Sequence, residues 1–291
     1  MSLIDTLNTG VSALTSFGTG MEVVGNDIAN VNTIGYKSSD ASFEDSFSNT
    51  LKSSAPSSGT QSSTSAVQVG TGVQLGGITT NFNQGALNST GVTTDLAVSG
   101  TGFFIVKDAT SLAQYATRDG QFRLDGNGYL VTQDGKRVQG YVGGSSSTPL
   151  GTTVGDIRVG LNPPAGTSLQ SIAIDSSGNV IESYSDGSSA TTNKVLLQNF
   201  SDTSALMRDG NNLYSGLTAA GPSGGGILAG GNAPGANGLG SIQSGSLESS
   251  NVDLTQQFSN LITMQRSFQA GARLITVSDT ILDDVVNLKR S

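Results

Sequence analysis

Matching heptad patterns of apolar residues at the two chain ends constrain the fold more than any other feature. In the C-terminal pattern, residues recur alternately every four and three positions from Leu254 to Val286, with two polar interruptions. This spacing places them along one face of an α-helix. At about 1.5 Å per residue, such a helix is longer than a compact small domain is wide, so its apolar face needs a partner.

The N-terminal pattern supplies a partner for this helix. The same spacing runs from Leu3 to Val31, and only Gly10 interrupts it. We therefore predict a discontinuous, coiled-coil-like helical domain built from residues 1–33 and 251–291. A two-helix stalk buried within one subunit is the simplest form of such a domain.

Each predicted helix carries more apolar surface than one partner covers. Further apolar residues, such as Val11 and Ile281, flank the two patterns. A surplus apolar face indicates additional neighbours, and we expect these to be other copies of the chain. The residues predicted to form the subunit interface are Leu3, Leu7, Leu14, Phe17, Met21, Val24, Ile28, Leu254, Phe258, Leu261, Phe268, Ile275 and Leu282.

The C-terminal helix also carries signals for its two ends. Asn251 and Asp253 offer side-chain oxygens for an N-cap. Lys289 and Arg290 place positive charge where the helix dipole is negative. These residues predict a single uninterrupted helix across the C-terminal region.

The middle of the chain changes to strand periodicity. From Val67 to about Tyr214, apolar residues recur at every second position between turn residues, and residues 103–106 form the most apolar run. Residues 125–128 have the composition of a tight hairpin turn. We predict a β-rich outer domain of short strands over residues 81–250, which makes the fold class α+β.

Residues 34–80 are predicted to connect the two domains. The stretch from Ser38 to Ala66 is rich in Ser, and over residues 53–65 nearly every residue is small or polar. Such a composition buries too little apolar surface to offset the entropy lost on ordering the chain. We expect a Ser-rich loop that is either flexible or ordered by a partner.

The composition argues against several classes of function. The chain of 291 residues contains no His and no Cys, which removes thiolate and imidazole nucleophiles and the usual zinc ligands. A formal net charge of -8 argues against nucleic acid as a partner. We predict no enzyme activity, no catalytic residues, no cofactor, no metal and no membrane insertion. The N-terminus lacks the features of a common cleaved signal peptide, so we expect that no such signal directs export of the chain.

Three motifs that resemble chemical sites have simpler explanations. Residues 70–72 have the wrong spacing for a nucleotide-binding loop. The acidic turns within residues 125–134 lack the ligand order of a calcium loop and fit turn chemistry. Arg118 beside Asp119 is expected to be a surface ion pair or a polar hairpin position rather than a catalytic group.

Residues at both chain ends resemble the signatures of a known family. Residues 25–37, with the sequence GNDIANVNTIGYK, resemble the N-terminal signature of bacterial flagellar rod and hook proteins, and residues 250–282 resemble the closing signature of the same family. Asp27 stands where members usually have Asn. Gln257 stands where many members have Glu, at a position that makes a capping or interhelical contact. The central pieces that also match are residues 101–104, 115–122 and 126–131.

The resemblance implies a structural subunit of the bacterial flagellar hook. Such a subunit is exported through the flagellar type III apparatus and self-assembles into a helical tube that transmits torque from rod to filament. Residues 120–125 and 138–141 look more like a hook protein, whereas the Ser-rich insert also fits a distal rod protein of the basal body, which is the alternative. A secreted surface stalk or adhesin is the alternative outside the family. The implied partners are further copies of the chain, the export apparatus, and axial proteins of the rod, hook cap and hook–filament junction.

Overall fold

The chain folds into two compact units. The computed structural model describes residues 3–54, 56, 63–144, 151–160, 163, 166–229 and 232–288. The helical unit comprises Met1–Ala29, Ser38–Asn81 and Val252–Ser291, and the β unit comprises Asn30–Lys37 and Phe82–Asn251. The segment expected to connect two domains is thus divided between them, with its first residues in the β unit and the remainder in the helical unit.

Two long antiparallel helices dominate the helical unit. Helix α1 spans Leu3–Ala29 and helix α2 spans Leu254–Leu288. Contacts between them recur every seven residues on both helices. The α1 residues of this series are Thr6, Ala13, Gly20 and Asp27, and they face Ser278, Gly271, Met264 and Gln257 in that order.

Small residues bring the two helices close together. A Cβ atom added at Gly10 would lie 2.8 Å from Cγ1 of Ile275, and one added at Gly20 would lie 3.0 Å from Sδ of Met264. One added at Gly271 would lie 3.5 Å from Cβ of Ala13. Larger side chains at the first two positions would push the helices apart, because packed interiors have little spare volume.

The start of α2 carries the predicted cap. Oδ1 of Asp253 accepts hydrogen bonds from the backbone N–H groups of Thr255 at 2.8 Å and Gln256 at 3.3 Å. These N–H groups have no partner within the helix, so the cap satisfies them. The prediction for Asp253 is confirmed, whereas Lys289 and Arg290 lie outside the described residues.

The Ser-rich connection forms a long two-stranded hairpin. Strand periodicity from Val67 onwards predicts the second half of the hairpin, whereas the strands before residue 53 were not expected. Its strands are β1 (Ser39–Asp45), β2 (Ser48–Lys52), β3 (Val67–Gly70) and β4 (Val73–Thr80). Strand β1 pairs with β4, and β2 pairs with β3. The ring of Phe43 packs against Phe17 of α1 at a centroid distance of 5.3 Å, which anchors the inner half of the hairpin. Residue 55 and residues 57–62, in the expected loop, lie outside the described residues.

Short antiparallel strands build the β unit, which confirms the predicted β-rich region. Its strands are β5 (Leu87–Ser89), β6 (Leu96–Ser99), β7 (Phe103–Lys107), β8 (Gln114–Thr117), β9 (Arg123–Leu124), β10 (Leu130–Val131), β11 (Arg137–Val142), β12 (Thr153–Asp156), β13 (Leu169–Ile174), β14 (Asn179–Tyr184), β15 (Ser189–Val195), β16 (Leu197–Gln198), β17 (Met207–Arg208), β18 (Leu213–Ser215), β19 (Ser241–Ser244) and β20 (Ser246–Glu248). The main sheet has the order β13-β14-β15-β11-β7-β8-β18-β17, with β9, β10, β12 and β16 joined beside this path. Strands β6 and β19 form one separate pair, and β5 and β20 form another.

Strand β7 separates two hydrophobic cores. Phe104 and Val106 belong to one core, while Phe103 and Ile105 belong to the other. Because successive side chains of a strand point to opposite faces, a strand buried on both faces is apolar at every position. This explains why residues 103–106 form the most apolar run of the central sequence.

The predicted hairpin turn at residues 125–128 is confirmed. It joins β9 to β10, which pair antiparallel. Oδ1 of Asp125 accepts hydrogen bonds from the N–H groups of Asn127 at 2.9 Å and Tyr129 at 2.7 Å. Gly128 adopts a positive φ of 82°, which favours glycine. The acidic side chain therefore serves the turn itself.

We predict that Phe104→Ala lowers the free energy of unfolding of the β unit by about 3–5 kcal/mol, because it removes a fully buried ring. That ring packs edge-on against Phe122 at a centroid distance of 5.2 Å. All 6 tyrosines lie in the β unit and the chain has no Trp, so denaturation followed by tyrosine fluorescence reports on this unit. Leu112→Ala is the control, since this leucine is 62% exposed in the same unit and its loss should change stability by about 0.5 kcal/mol or less. Equal effects of the two substitutions would contradict the assigned core.

Candidate functional site

The predicted interface residues of α1 are mostly half-buried within the helical unit. Val24 is buried, while the side chains of the others keep part of their surface exposed. The partly exposed group is Leu7, Leu14, Phe17, Met21 and Ile28. The side chain of Leu3 lies outside the described part of the chain.

The predicted interface residues of α2 divide into two groups. Leu261, Phe268, Ile275 and Leu282 are half-buried. Leu254 and Phe258 are exposed by 39% and 49%. They belong to a larger set of exposed apolar side chains on the same helix, which we call the exposed apolar set of α2. The other members are Ile262, Leu274, Val277, Ile281, Val285, Val286 and Leu288.

A buried polar bridge links the two helices and the first hairpin strand. Asp27 is 0% exposed, and its carboxylate accepts the N–H of Ser39, with oxygen distances of 3.0 and 3.2 Å. Nε2 of Gln257 donates to Oδ2 of Asp27 at 3.2 Å. Within the described chain, Oε1 of Gln257 is buried without a hydrogen-bond partner. The two positions that depart from the family signature therefore contact each other.

A second buried polar site lies in the β unit and carries charge. Glu248 accepts hydrogen bonds from Nζ of Lys37 at 2.6 Å and from a guanidinium nitrogen of Arg118 at 3.2 Å. The three side chains are 4% exposed or less. The expectation that Arg118 forms a surface ion pair is therefore wrong, because its partner is a distant and buried glutamate rather than Asp119.

Burial dominates the electrostatics of this site. It lowers the pKa of Lys37 from its ordinary value, although the adjacent Glu248 carboxylate acts in the opposite direction. Burial also lowers the pKa of Arg118, although the Glu248 carboxylate again acts to raise it. Removing Glu248 would leave two buried cations without a counter-charge, a change that typically costs about 3–5 kcal/mol of stability. The pairing of these side chains is thus required for their burial.

Sequence reasoning missed the charged site for an identifiable reason. Lys37 and Glu248 are 211 residues apart, and Arg118 and Glu248 are 130 residues apart. No helical or strand periodicity relates residues at such separations. The available signals were that Lys37 ends the N-terminal family signature and that Arg118 lies in the matching piece of residues 115–122.

The described residues offer little for catalysis or metal binding. A cavity of about 350 Å³ in the β unit is lined by Tyr129, Asp156 and Arg158 among others. Asp156 already pairs with Arg137 at 2.9 Å, and Arg137 also stacks on Tyr129. Among the described residues, no group of three or more acidic side chains is arranged to hold a metal ion.

A separate finding concerns membranes. Within the described ranges, neither helix combines the length and the apolar character needed to cross a bilayer.

Comparison with known proteins places three family models along the chain. The model described as flagella basal body rod protein matches residues 7–37, and the one described as flagellar hook protein FlgE/F/G D1 domain matches residues 97–182. The model described as flagellar basal body rod FlgEFG protein C-terminal matches residues 243–288. The buried bridge and the charged site both draw residues from the first and last of these matches.

Individual relatives match the chain to different extents. The flagellar basal-body rod protein FlgG of Bacillus subtilis (strain 168) is 36% identical over 99% of this chain and 100% of that protein. FlgG of Buchnera aphidicola subsp. Baizongia pistaciae (strain Bp) is 31% identical over 90% of this chain and 91% of that protein. The flagellar hook protein FlgE of Helicobacter mustelae is 43% identical over 48% of this chain but only 31% of that protein.

We predict that Gln257→Glu destabilises the helical unit by about 3 kcal/mol, because it places a second carboxylate against Asp27 in a buried site. Adding Asp27→Asn should restore most of the loss, since an amide on α1 can donate to a carboxylate on α2 and still accept from Ser39. The measurement is chemical denaturation followed by far-UV circular dichroism, which reports mainly on the helices. A single variant as stable as the wild type, or a double variant no better than the single one, would contradict the bridge.

Proposed function

This chain belongs to the family of bacterial flagellar hook and basal-body rod proteins, and from that premise we propose that it is a self-assembling subunit of the distal rod. The family consists of structural components of the flagellum and serves motility. Its axial members assemble into homopolymeric rod and hook structures. Family membership favours this role over the surface stalk or adhesin that the sequence pattern had left open.

The exposed apolar set of α2 is the observation that carries the proposal. Leu254, Phe258 and Leu288 are exposed by 39%, 49% and 74%, and six further apolar side chains of α2 are exposed with them. Apolar surface of this extent on one element marks a protein contact. A contact between unlike faces of identical copies does not close on itself and generates a helical filament when repeated. We propose that further copies of this chain cover these residues.

The extent of the matches favours rod over hook. The Bacillus FlgG aligns with nearly the whole of this chain and with all of its own length. The Helicobacter mustelae FlgE shares about half of this chain, and more than two thirds of that protein has no counterpart in the alignment. A subunit of rod-protein size accounts for every part of this sequence.

The hook remains the second candidate because of local similarity. The Helicobacter mustelae FlgE is 43% identical over 48% of this chain, whereas the Bacillus FlgG is 36% identical over 99% of it. Residues 120–125 and 138–141, which resemble the hook protein, lie in the β unit. The two candidates differ mechanically, since a hook bends as it rotates and a rod does not.

The proposal also covers how the chain is exported and which proteins contact the ends of its polymer. We propose that the flagellar type III apparatus exports the chain, and that its polymer meets other axial proteins at its two ends. For a rod these are neighbouring rod and hook proteins, and for a hook they include the cap and the hook–filament junction. The support for these partners is the family resemblance of both chain ends.

We predict that Phe258→Asp raises the critical concentration for polymerisation at least about tenfold, because a charge replaces an aromatic ring that assembly buries. The β unit should stay folded, as judged by tyrosine fluorescence. Leu112→Asp is the matched control, since this leucine is 62% exposed in the β unit and outside the helices. Polymers are counted by sedimentation and electron microscopy. If the Phe258 variant assembled like the wild type, this face of α2 would not belong to the subunit interface.

We predict that Phe47→Ser combined with Leu51→Ser makes the polymer more flexible while leaving the monomer intact. Both side chains are largely exposed, at 86% and 66%, on the outer half of the hairpin. An isolated two-stranded hairpin is marginally stable, so neighbouring subunits should supply its contacts and thereby limit sliding. Persistence length is measured by electron microscopy for this variant, the wild type and an Asn49→Ser control in β2. Equal stiffness of all three polymers would remove this argument for a rigid rod.

A further inference from the structure

The chain passes between its two units at four points, after Ala29, Lys37, Asn81 and Asn251. Three segments of the β unit lie next to these crossings: residues 30–37, the residues that follow Phe82, and the residues that lead to Asn251. All three segments meet at the charged site around Glu248.

Glu248 and Lys37 tie the backbones of these segments together. Oε1 of Glu248 accepts from Nζ of Lys37 at 2.6 Å and from the N–H of Gly85 at 2.9 Å. The backbone carbonyl of Glu248 accepts from the N–H of Gly35 at 2.8 Å. Nζ of Lys37 also donates to the carbonyl of Asn83 at 2.8 Å.

The carbonyl of Asn83 has a further donor. Nδ2 of Asn251 lies 3.1 Å from that oxygen, so this carbonyl bonds to side chains from both of the other segments. Every crossing segment is therefore joined to each of the others by at least one hydrogen bond.

Stability alone is a weak explanation for this arrangement. A buried ion pair can often be replaced by apolar residues of similar volume without loss of stability. Here the charged groups bind specific backbone atoms of the crossing segments, which apolar residues cannot do. Arg118 serves as an internal comparison, because its second hydrogen bond goes to the carbonyl of Gly100 at 2.9 Å and its guanidinium stacks on Phe103.

We propose that Lys37 and Glu248 are positioning residues that clamp the crossing segments at a fixed separation, so that force transmitted along the chain passes through their contacts. The mechanical part of this inference rests on the proposed function as a torque-bearing subunit. The clamp itself does not, because it is a property of the single chain.

The test compares Lys37→Met with Arg118→Met in the full chain. Each substitution removes one of the two buried cations that pair with Glu248 and leaves the other one paired. The change in charge is therefore the same in both variants. Hydrogen exchange of the monomer should become at least about tenfold faster at the amides of Gly35 and Gly85 in the Lys37 variant, because local opening sets these rates. The Arg118 variant should change them by less than about threefold, and the amides of β7 should stay protected in both variants.

Three results of the exchange experiment would overturn the clamp. The first is equal acceleration at Gly35 and Gly85 in both variants, which would mean that the cluster only stabilises the unit. The second is no acceleration in the Lys37 variant. The third is equal acceleration at β7, which would mean that the whole unit opens.

Polymers of the same two variants test the mechanical part. The Lys37 variant should form polymers of shorter persistence length than the Arg118 variant, and equal stiffness would overturn the role in carrying force. Failure of the wild-type chain to polymerise would count against the proposed function alone, because the exchange experiment still decides whether the clamp exists.

Discussion

The pairing of α1 with α2 is the interaction on which the rest of the structure depends. The two helices come from opposite ends of the chain, so their contact closes everything between them into one loop. Loop closure costs conformational entropy that rises only slowly with length, which makes so long a closure feasible. The contact itself uses small side chains such as Gly10 and Gly271, which bury little apolar surface. The hairpin adds to it, since Phe43 packs on Phe17 and Ser16 donates to the carbonyl of Val73.

The heptad period of the helices was predictable from sequence, whereas the small residues that fill part of the contact were not. Pattern analysis counts bulky apolar residues and so placed Leu7, Leu14 and Met21 on the seam. In the structure the preceding positions, Thr6, Ala13 and Gly20, also face the other helix, and Cδ2 of Leu14 lies as close to a Cβ atom added at Gly271 as Cβ of Ala13 does. Close approach of two helices favours small residues, which carry no apolar signal in a sequence. Bulky residues such as Leu14 and Ile275 share the contact with the small ones, and part of their surface stays exposed.

Among the polar features, those with local chemistry could be predicted from sequence, and those that depend on distant residues could not. The turn at residues 125–128 was predictable because its chemistry is local. The hairpin strand β2 was not, because its polar residues are ordered by backbone pairing with β3 rather than by burial. The ion pair of Lys37 with Glu248 joins residues far apart in sequence, and one sequence contains no record of such a contact. The bridge between Asp27 and Gln257 was visible only as two separate departures from a family signature.

The bridge between Asp27 and Gln257 also fixes the register of α1 against α2, and with it the length of the helix pair. Helix contacts that repeat every seven residues are nearly equivalent after a slip of one repeat, and such a slip would change the extent of the helix pair by about 10 Å. In the slipped register Asp27 would face Met264 or a residue before α2, and its buried carboxylate would lose the amide of Gln257. Only the observed register gives that carboxylate the amide of Gln257. A filament of interchangeable copies requires every copy to be the same length, and a single hydrogen-bonded pair can enforce this uniformity.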